Sequence, residues 1–162
     1  DTGSLTSASK VLTCALMFIG GSPGSTAGGI KTTTIFILVV SLWSGITDRH
    51  KTAIFKRRFE DDAIKKASIV FTLNMFLAVS ALFTILAITD LPLSDVMFEV
   101  FSAMGTVGMT TGITRDLSSA ARIIIMVLMF CGRVGSLSFA LTFLQGKKDP
   151  PVYYPEEEIS VG

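Results

Sequence analysis

Two runs of 22 residues dominate the pattern of hydrophobic and polar positions. Positions 68–89 hold no charged side chain, and positions 123–144 hold one, Arg133. About 18 or more apolar residues are needed to cross a bilayer core as helix, so the runs predict spans over 67–89 and 117–145. A third apolar stretch, 5–47, is too long for one crossing. As a single helix its 43 residues would measure roughly 65 Å, twice the hydrocarbon thickness. The pattern there predicts a helix over 5–19, an irregular segment over 20–34 and a second helix over 35–45. Between the two long spans, "LPLSDVMFEVFSAMG" predicts a short helix over 93–105. Pro92 or Ser94 starts it and an acid lies in its first turn. It is too short to span, and "TVGMTTGIT" after it is too rich in threonine and glycine for helix. Span, short helix, loop, span is the outline of a re-entrant pore hairpin.

Composition agrees with this outline. Of 162 residues 49% are hydrophobic and 17% charged, against about 25% charged in an ordinary soluble domain. The fold class predicted is an all-α integral membrane protein with one broken transmembrane helix, embedded in a lipid bilayer. Lysine and arginine orient it. The 48–66 loop carries seven, and the 90–122 connection carries two, Arg115 and Arg122. The positive-inside rule then puts 48–66 and the 146–162 tail in the cytoplasm, with the N-terminus and the re-entrant segment outside. A net charge of +1 without a basic stripe gives no support to nucleic-acid binding. Cys14 and Cys131 lie in apolar segments without metal-ligand or disulfide spacing, and His50 lies in a charged loop without a nucleophile to serve. No enzymatic chemistry and no cofactor are expected. The chain begins at Asp1 without a methionine or signal peptide, and reads as a fragment or as one piece of a divided chain.

The break at 20–34 needs a reason, because each unpaired amide in lipid costs several kcal/mol. Gly20, Gly21, Gly24, Gly28 and Gly29 let the chain fold compactly around Pro23. The hydroxyls of Ser22, Ser25, Thr26, Thr32, Thr33 and Thr34 can bond the freed backbone. Gly20, Gly24 and Gly28 also satisfy a small-xxx-small helix-packing pattern, which would need no break at all. Lys31 brings a charge to a cavity or snorkels to the interface. "GSTAGGIKT" invites comparison with a phosphate-binding loop but fails by one residue, since Ile30 separates Gly29 from Lys31. No magnesium-holding acid follows at the end of an apolar strand.

The re-entrant loop carries the functional signal. Backbone carbonyls of a short extended loop can replace the hydration shell of an alkali cation, as in the TVGYG loops of potassium channels. Thr106, Val107, Gly108 and Met109 fit that role, with Gly108 supplying the freedom that turns carbonyls to one axis. The short helix aims its partly negative C-terminal end at the cation. A symporter of another cation or a small substrate also uses discontinuous helices, but would not require a hairpin ending in TVG. Arg133, near mid-depth in its span, is costly there and must face a polar interior or a partner.

At these residues the chain resembles the Trk/Ktr/HKT superfamily of potassium transporters, and within it the membrane subunit of bacterial Ktr uptake systems. "FSAMGTVGMTTGIT" resembles the family's fourth-repeat filter, "FIGGSPGSTAGGIKTTT" the broken second helix of the third repeat, and "CGRVGSLSF" the last span. Met109 and Thr110 stand where the family often has leucine and serine. The resemblance implies four span–pore helix–span repeats around a potassium pore. Residues 1–47 would then end the third repeat, 67–145 form the fourth with its filter at 106–112, and the earlier repeats precede Asp1. It also implies a gating loop at 20–34 beneath the filter, and an electrostatic barrier at Arg133. Its partners would be a second membrane subunit, forming a homodimer in the plasma membrane, and a cytoplasmic nucleotide-binding regulatory ring. The resemblance implies potassium as the transported ion, with sodium as a second ion that can influence uptake.

Overall fold

The structure, a computed structural model, describes residues 2–47, 53–54, 57–58 and 61–135. Five helices follow one another: α1 (Ser7–Phe18), α2 (Thr32–Ile46), α3 (Asp61–Ile88), α4 (Leu93–Met104) and α5 (Ser119–Val134). Between α2 and α3 a small antiparallel hairpin pairs Ala53–Ile54 with Arg57–Arg58. The architecture is otherwise helical. The part of the last span beyond 135, the 146–162 tail, His50 and about half of the basic loop lie outside the described residues.

Local chemistry sets the helix ends. The Thr6 hydroxyl caps α1 by accepting from the Ser9 amide at 3.3 Å, and Ser118 caps α5 by accepting from Ala121 at 3.2 Å. Two boundaries differ from the sequence expectation. First, α3 starts at Asp61, ahead of the span expected from 67 and inside the 48–66 segment expected to be a polar loop or a surface helix. Asp62 favours the positive end of a helix, and Lys66 follows it at i+4 spacing. Second, α2 starts at Thr32 rather than 35. Lys31 takes the cap position in extended backbone, and its carbonyl accepts from both Thr34 at 2.9 Å and Ile35 at 3.3 Å. Thr32, Thr33 and Thr34 therefore form the first helical turn, and the break ends at Lys31.

The short helix α4 is the hub, packed against α1, α3 and α5. Its apolar positions are buried almost all round, as expected of an interior helix. Val96, Val100, Ala103 and Met104 join Ala78, Ala81 and Ile85 of α3 and Ala121, Ile125 and Leu128 of α5 in one cluster. On the other side, Phe98 packs with Cys14 and Met17 of α1. Phe18, at the end of α1, sets its ring edge-on to Phe101 at 5.5 Å and to Phe71 at 5.9 Å. Lys10 and Asp95 close the top of the α1–α4 contact with a 2.7 Å ion pair.

The outer faces are apolar as well. Along α5, Ile123, Met126, Val127, Phe130 and Val134 are exposed at helical spacing, opposite its buried face. On α2, Phe36, Val39, Leu42, Trp43 and Ile46 are exposed. A helix that is apolar all round suits lipid or further protein rather than water. Among the described residues one helix, over Asp62–Ile88, is long and apolar enough to cross a bilayer by itself. The segments Ser7–Phe18 and Thr32–Ile46 are apolar but shorter, because the break separates them.

The tightest helix contact lies between Gly132 of α5 and the end of α4. A Cβ on Gly132 would stand 2.1 Å from the Met104 carbonyl oxygen, which is backbone and cannot step aside. Gly132→Ala is therefore expected to cost about 1–3 kcal/mol or more through overpacking, lowering the melting temperature in detergent. Gly45→Ala is the matched control, since a Cβ there meets nothing within 4 Å. Equal melting temperatures for the two variants would contradict this packing.

Candidate functional site

The C-terminus of α4 unwinds through hydrogen bonds that keep its last carbonyls occupied. Gly105 donates to Phe101 O at 2.8 Å, Thr106 to Ala103 O at 3.1 Å and Val107 to Ser102 O at 3.0 Å. Then the backbone alternates. Thr106 has φ +52° and Gly108 has φ +80°, while Val107 and Met109 remain outside the positive region. Glycine accepts that geometry freely, but a β-branched residue at positive φ is an outlier. Something must hold Thr106 there. Its Oγ1 accepts from the Gly28 amide at 2.8 Å, across 78 positions of sequence. Thr106 and Gly108 line a cavity of about 280 Å³ with Ser102, Ala103, Met129 and Arg133.

Beyond Gly108 the loop is tied back to α4. The Met109 carbonyl accepts from Ser102 Oγ at 2.5 Å. The buried Glu99 carboxyl accepts through Oε1 from Thr114 Oγ1 at 2.9 Å and from Thr110 Oγ1. Thr110 Oγ1 also accepts from the Gly112 amide at 2.9 Å.

The break between α1 and α2 closes on itself. Ile19 and Ile30 pair as a parallel bridge, Gly20 donates to Ile30 O at 2.7 Å, and Thr32 donates to Gly21 O at 3.2 Å. Ile30 is fully buried and anchors the closed end. The loop so formed bears a tip at Ser22, Pro23, Gly24 and Ser25 that is exposed. Its returning limb is held by cations. Lys31 Nζ donates to Ala27 O at 2.5 Å and Ser25 O at 3.4 Å, and Arg133 Nη1 donates to Thr26 O. Backbone groups, two cationic side chains and the Thr106 hydroxyl meet the loop's main chain, where the sequence pattern suggested the loop's own hydroxyls. An unbroken small-xxx-small helix is excluded, because Gly24 and Gly29 have φ +80° and +72°.

Thr106, Gly28, Thr26, Gly132 and Arg133 thus converge from three distant segments. A Cβ on Gly28 would fall 2.6 Å from Thr106 Cγ2 and 2.9 Å from Gly132 O. Ser22, Pro23 and Gly24 stand away from this contact at the loop tip. Three features escaped the sequence pattern: the Gly28–Thr106 bond, the Ser102–Met109 bond and buried Glu99. Glu99 had a visible signal, since it is a lone acid within the apolar core of a short helix, and intramembrane ionisable residues are functional by default.

Residues 1–149 match the family model described as TrkH, a cation transport protein. The chain is 36% identical over its whole length to Ktr system potassium uptake protein B of Bacillus subtilis, and 39% identical to Ktr system potassium uptake protein D of the same organism. It is 37% identical, over 96% of its length, to potassium/sodium uptake protein NtpJ of Enterococcus hirae. In each case the match covers 36% of the relative, so the chain spans about a third of these proteins.

Gly28→Ala is expected to push the loop off Thr106. A cysteine placed at half-buried Ala27 should then react with a soluble thiol reagent about tenfold faster, the consequence of about 1–3 kcal/mol of overpacking. The native Cys14 and Cys131 are buried and give a low background. An unchanged labelling rate would mean that the loop does not rest on Thr106.

Proposed function

The chain belongs to the TrkH family of cation transport proteins, and from that premise we propose that it forms the final part of a potassium-uptake pore in the cell membrane. It is not an enzyme. Residues Thr106, Val107, Gly108 and Met109 are one filter segment of four, and the 20–31 loop beneath them is the gate. The observation that carries this reading is the alternation of positive and negative φ along Thr106–Val107–Gly108, at the mouth of a short helix and facing a cavity. Alternation of this kind turns successive carbonyls toward one side, where they can replace the hydration shell of an alkali cation. The partly negative end of α4 adds to the attraction. Potassium is the ion because the relatives are named as potassium uptake proteins. Sodium enters as a second or competing ion, since one of them is named a potassium/sodium uptake protein.

Arg133 serves two ends in this reading. It lines the cavity below the filter, where a fixed positive charge raises the barrier to a passing cation. Its bond to Thr26 O also keeps the loop in that path. The basic 48–66 loop and the 146–162 tail face the cytoplasm by the positive-inside rule and dock a nucleotide-binding regulatory ring. A second membrane subunit completes a homodimer, and the remaining filter segments come from the upstream repeats of the same pore.

Two substitutions test the reading in the complete transporter, in cells lacking other potassium uptake. Gly108→Ser places a Cβ at φ +80°, a strain of about 1–2 kcal/mol. Discrimination of potassium over sodium should fall about tenfold while membrane levels hold. Unchanged selectivity would remove the filter assignment. Arg133→Ala should raise flux per transporter several-fold by removing both barrier and latch; a stably expressed variant with wild-type flux would end that role.

A further inference from the structure

Gly108 and Gly112 flank the outer part of the filter loop at φ +80° and +104°, and a Cβ at either would meet nothing within 4 Å. Neither conformational preference nor packing at these glycines fixes the segment between them. Yet a selective cation site needs its carbonyls held to within a few tenths of an ångström. What fixes the segment is a set of side chains on α4. Glu99 and Ser102 are three residues apart, so they lie on one face of the helix, and both are buried, at 6% and 3% exposure.

Each reaches a different residue of the loop. Ser102 Oγ donates to the carbonyl of Met109 at 2.5 Å. Glu99 Oε1 accepts from Thr110 Oγ1, the next residue, and from Thr114 Oγ1 at 2.9 Å. The two threonine oxygens also lie 2.8 Å apart. Both hydroxyl protons go to Glu99 Oε1, which is the acceptor the two threonines share. Thr110, so oriented, accepts from the Gly112 amide at 2.9 Å and fixes the far hinge as well.

We propose that Glu99 and Ser102 are positioning residues that set cation specificity from behind the filter, Glu99 as a hydrogen-bond acceptor for Thr110 and Thr114 rather than as a charge attracting ions. This rests on reading 106–109 as a filter segment. It assigns Met109 a different part from its neighbours, since its carbonyl is anchored to α4 by Ser102.

The test separates acceptor from charge. In the complete transporter, KM and maximal uptake for potassium and for sodium are measured, normalised to membrane protein. Glu99→Ala should lower the potassium-to-sodium ratio of Vmax/KM about five- to tenfold, the effect of losing two buried hydrogen bonds. Glu99→Gln keeps Oε1 as an acceptor and should restore most of that loss. Thr114→Val and Ser102→Ala should each lower the ratio about threefold, and they decide the matter if Glu99→Ala does not reach the membrane. If Glu99→Gln is as impaired as Glu99→Ala, the carboxylate acts by charge and the proposal fails. A wild-type ratio in Glu99→Ala, or in both Thr114→Val and Ser102→Ala, overturns it too. Gly108→Ser in parallel tells the two failures apart. If it alters selectivity while the α4 variants do not, the filter reading survives and only the positioning role falls.

Discussion

The carbonyl oxygen of Met104 lies where a Cβ on Gly132 would come within 2.1 Å, and the carbonyl of Met17 stands 2.7 Å from the corresponding point on Gly105. Gly28 lies as close to the Gly132 carbonyl and to the Thr106 side chain. Segments from α1, the loop, α4 and α5 therefore meet at one place, where the Thr106 side chain is the bridge between the loop and the end of α4. Small residues of this kind are what let helices approach closely in lipid, where there is no hydrophobic drive to press them together. The consequence for function is positional. With glycine at these contacts, the relative placement of the loop, the 105–106 turn and α5 is set largely by backbone.

The second constraint is the polar backbone of a broken helix. At membrane depth such backbone is tolerated only where protein covers it or where it lines a watery cavity. Here the two limbs of the loop pair at Ile19 and Ile30 and enclose their own amides. The carbonyls of Ser25, Thr26 and Ala27 are left over, and three successive carbonyls concentrate partial negative charge. Lys31 and Arg133 answer it. Each cation would be expensive alone in a span, and each loop carbonyl would be expensive unpaired. Together they offset one another, which accounts for two charges in segments that are otherwise apolar.

How much of this was legible in the sequence follows from range. The uncharged run at 68–89 lies within α3 except for the run's last residue, Thr89, and the proline, glycine and acid signals around 92–105 bracket α4, because those signals are local. The turn chemistry at 20–31 was legible for the same reason. Boundaries at Asp61 and Thr32 were not, since apolar periodicity stops at the lipid edge while helices continue through polar residues that cap or pair. The site's composition was partly legible: Gly108 and Arg133 stand out by residue type. Their connections were not. Gly28 to Thr106 spans 78 positions and Arg133 to Thr26 spans 107, and no pattern in a single sequence encodes a hydrogen bond at such separation. Positive φ at Thr106 was likewise invisible, because propensity argues against it and only the tertiary contact with Gly28 sustains it.

That last contact has an energetic implication for the proposed pore. A β-branched residue held at positive φ stores roughly 1–3 kcal/mol, and the Gly28–Thr106 bond that opposes its release is worth about 1 kcal/mol. The two terms are of similar size. On the proposed reading the loop cannot leave without breaking this bond, and once it is broken Thr106 is free to relax away from φ +52°. Gate and filter then share one residue, and the free-energy gap between closed and open arrangements is a difference of small numbers. A regulatory partner can shift such an equilibrium only by its differential affinity for the two states. A gap of a few kcal/mol is within reach of that, whereas a loop locked by interdigitated side chains would not be. On that reading the scarcity of side-chain packing at the loop, which looks like a weakness in the fold, is what would leave it switchable.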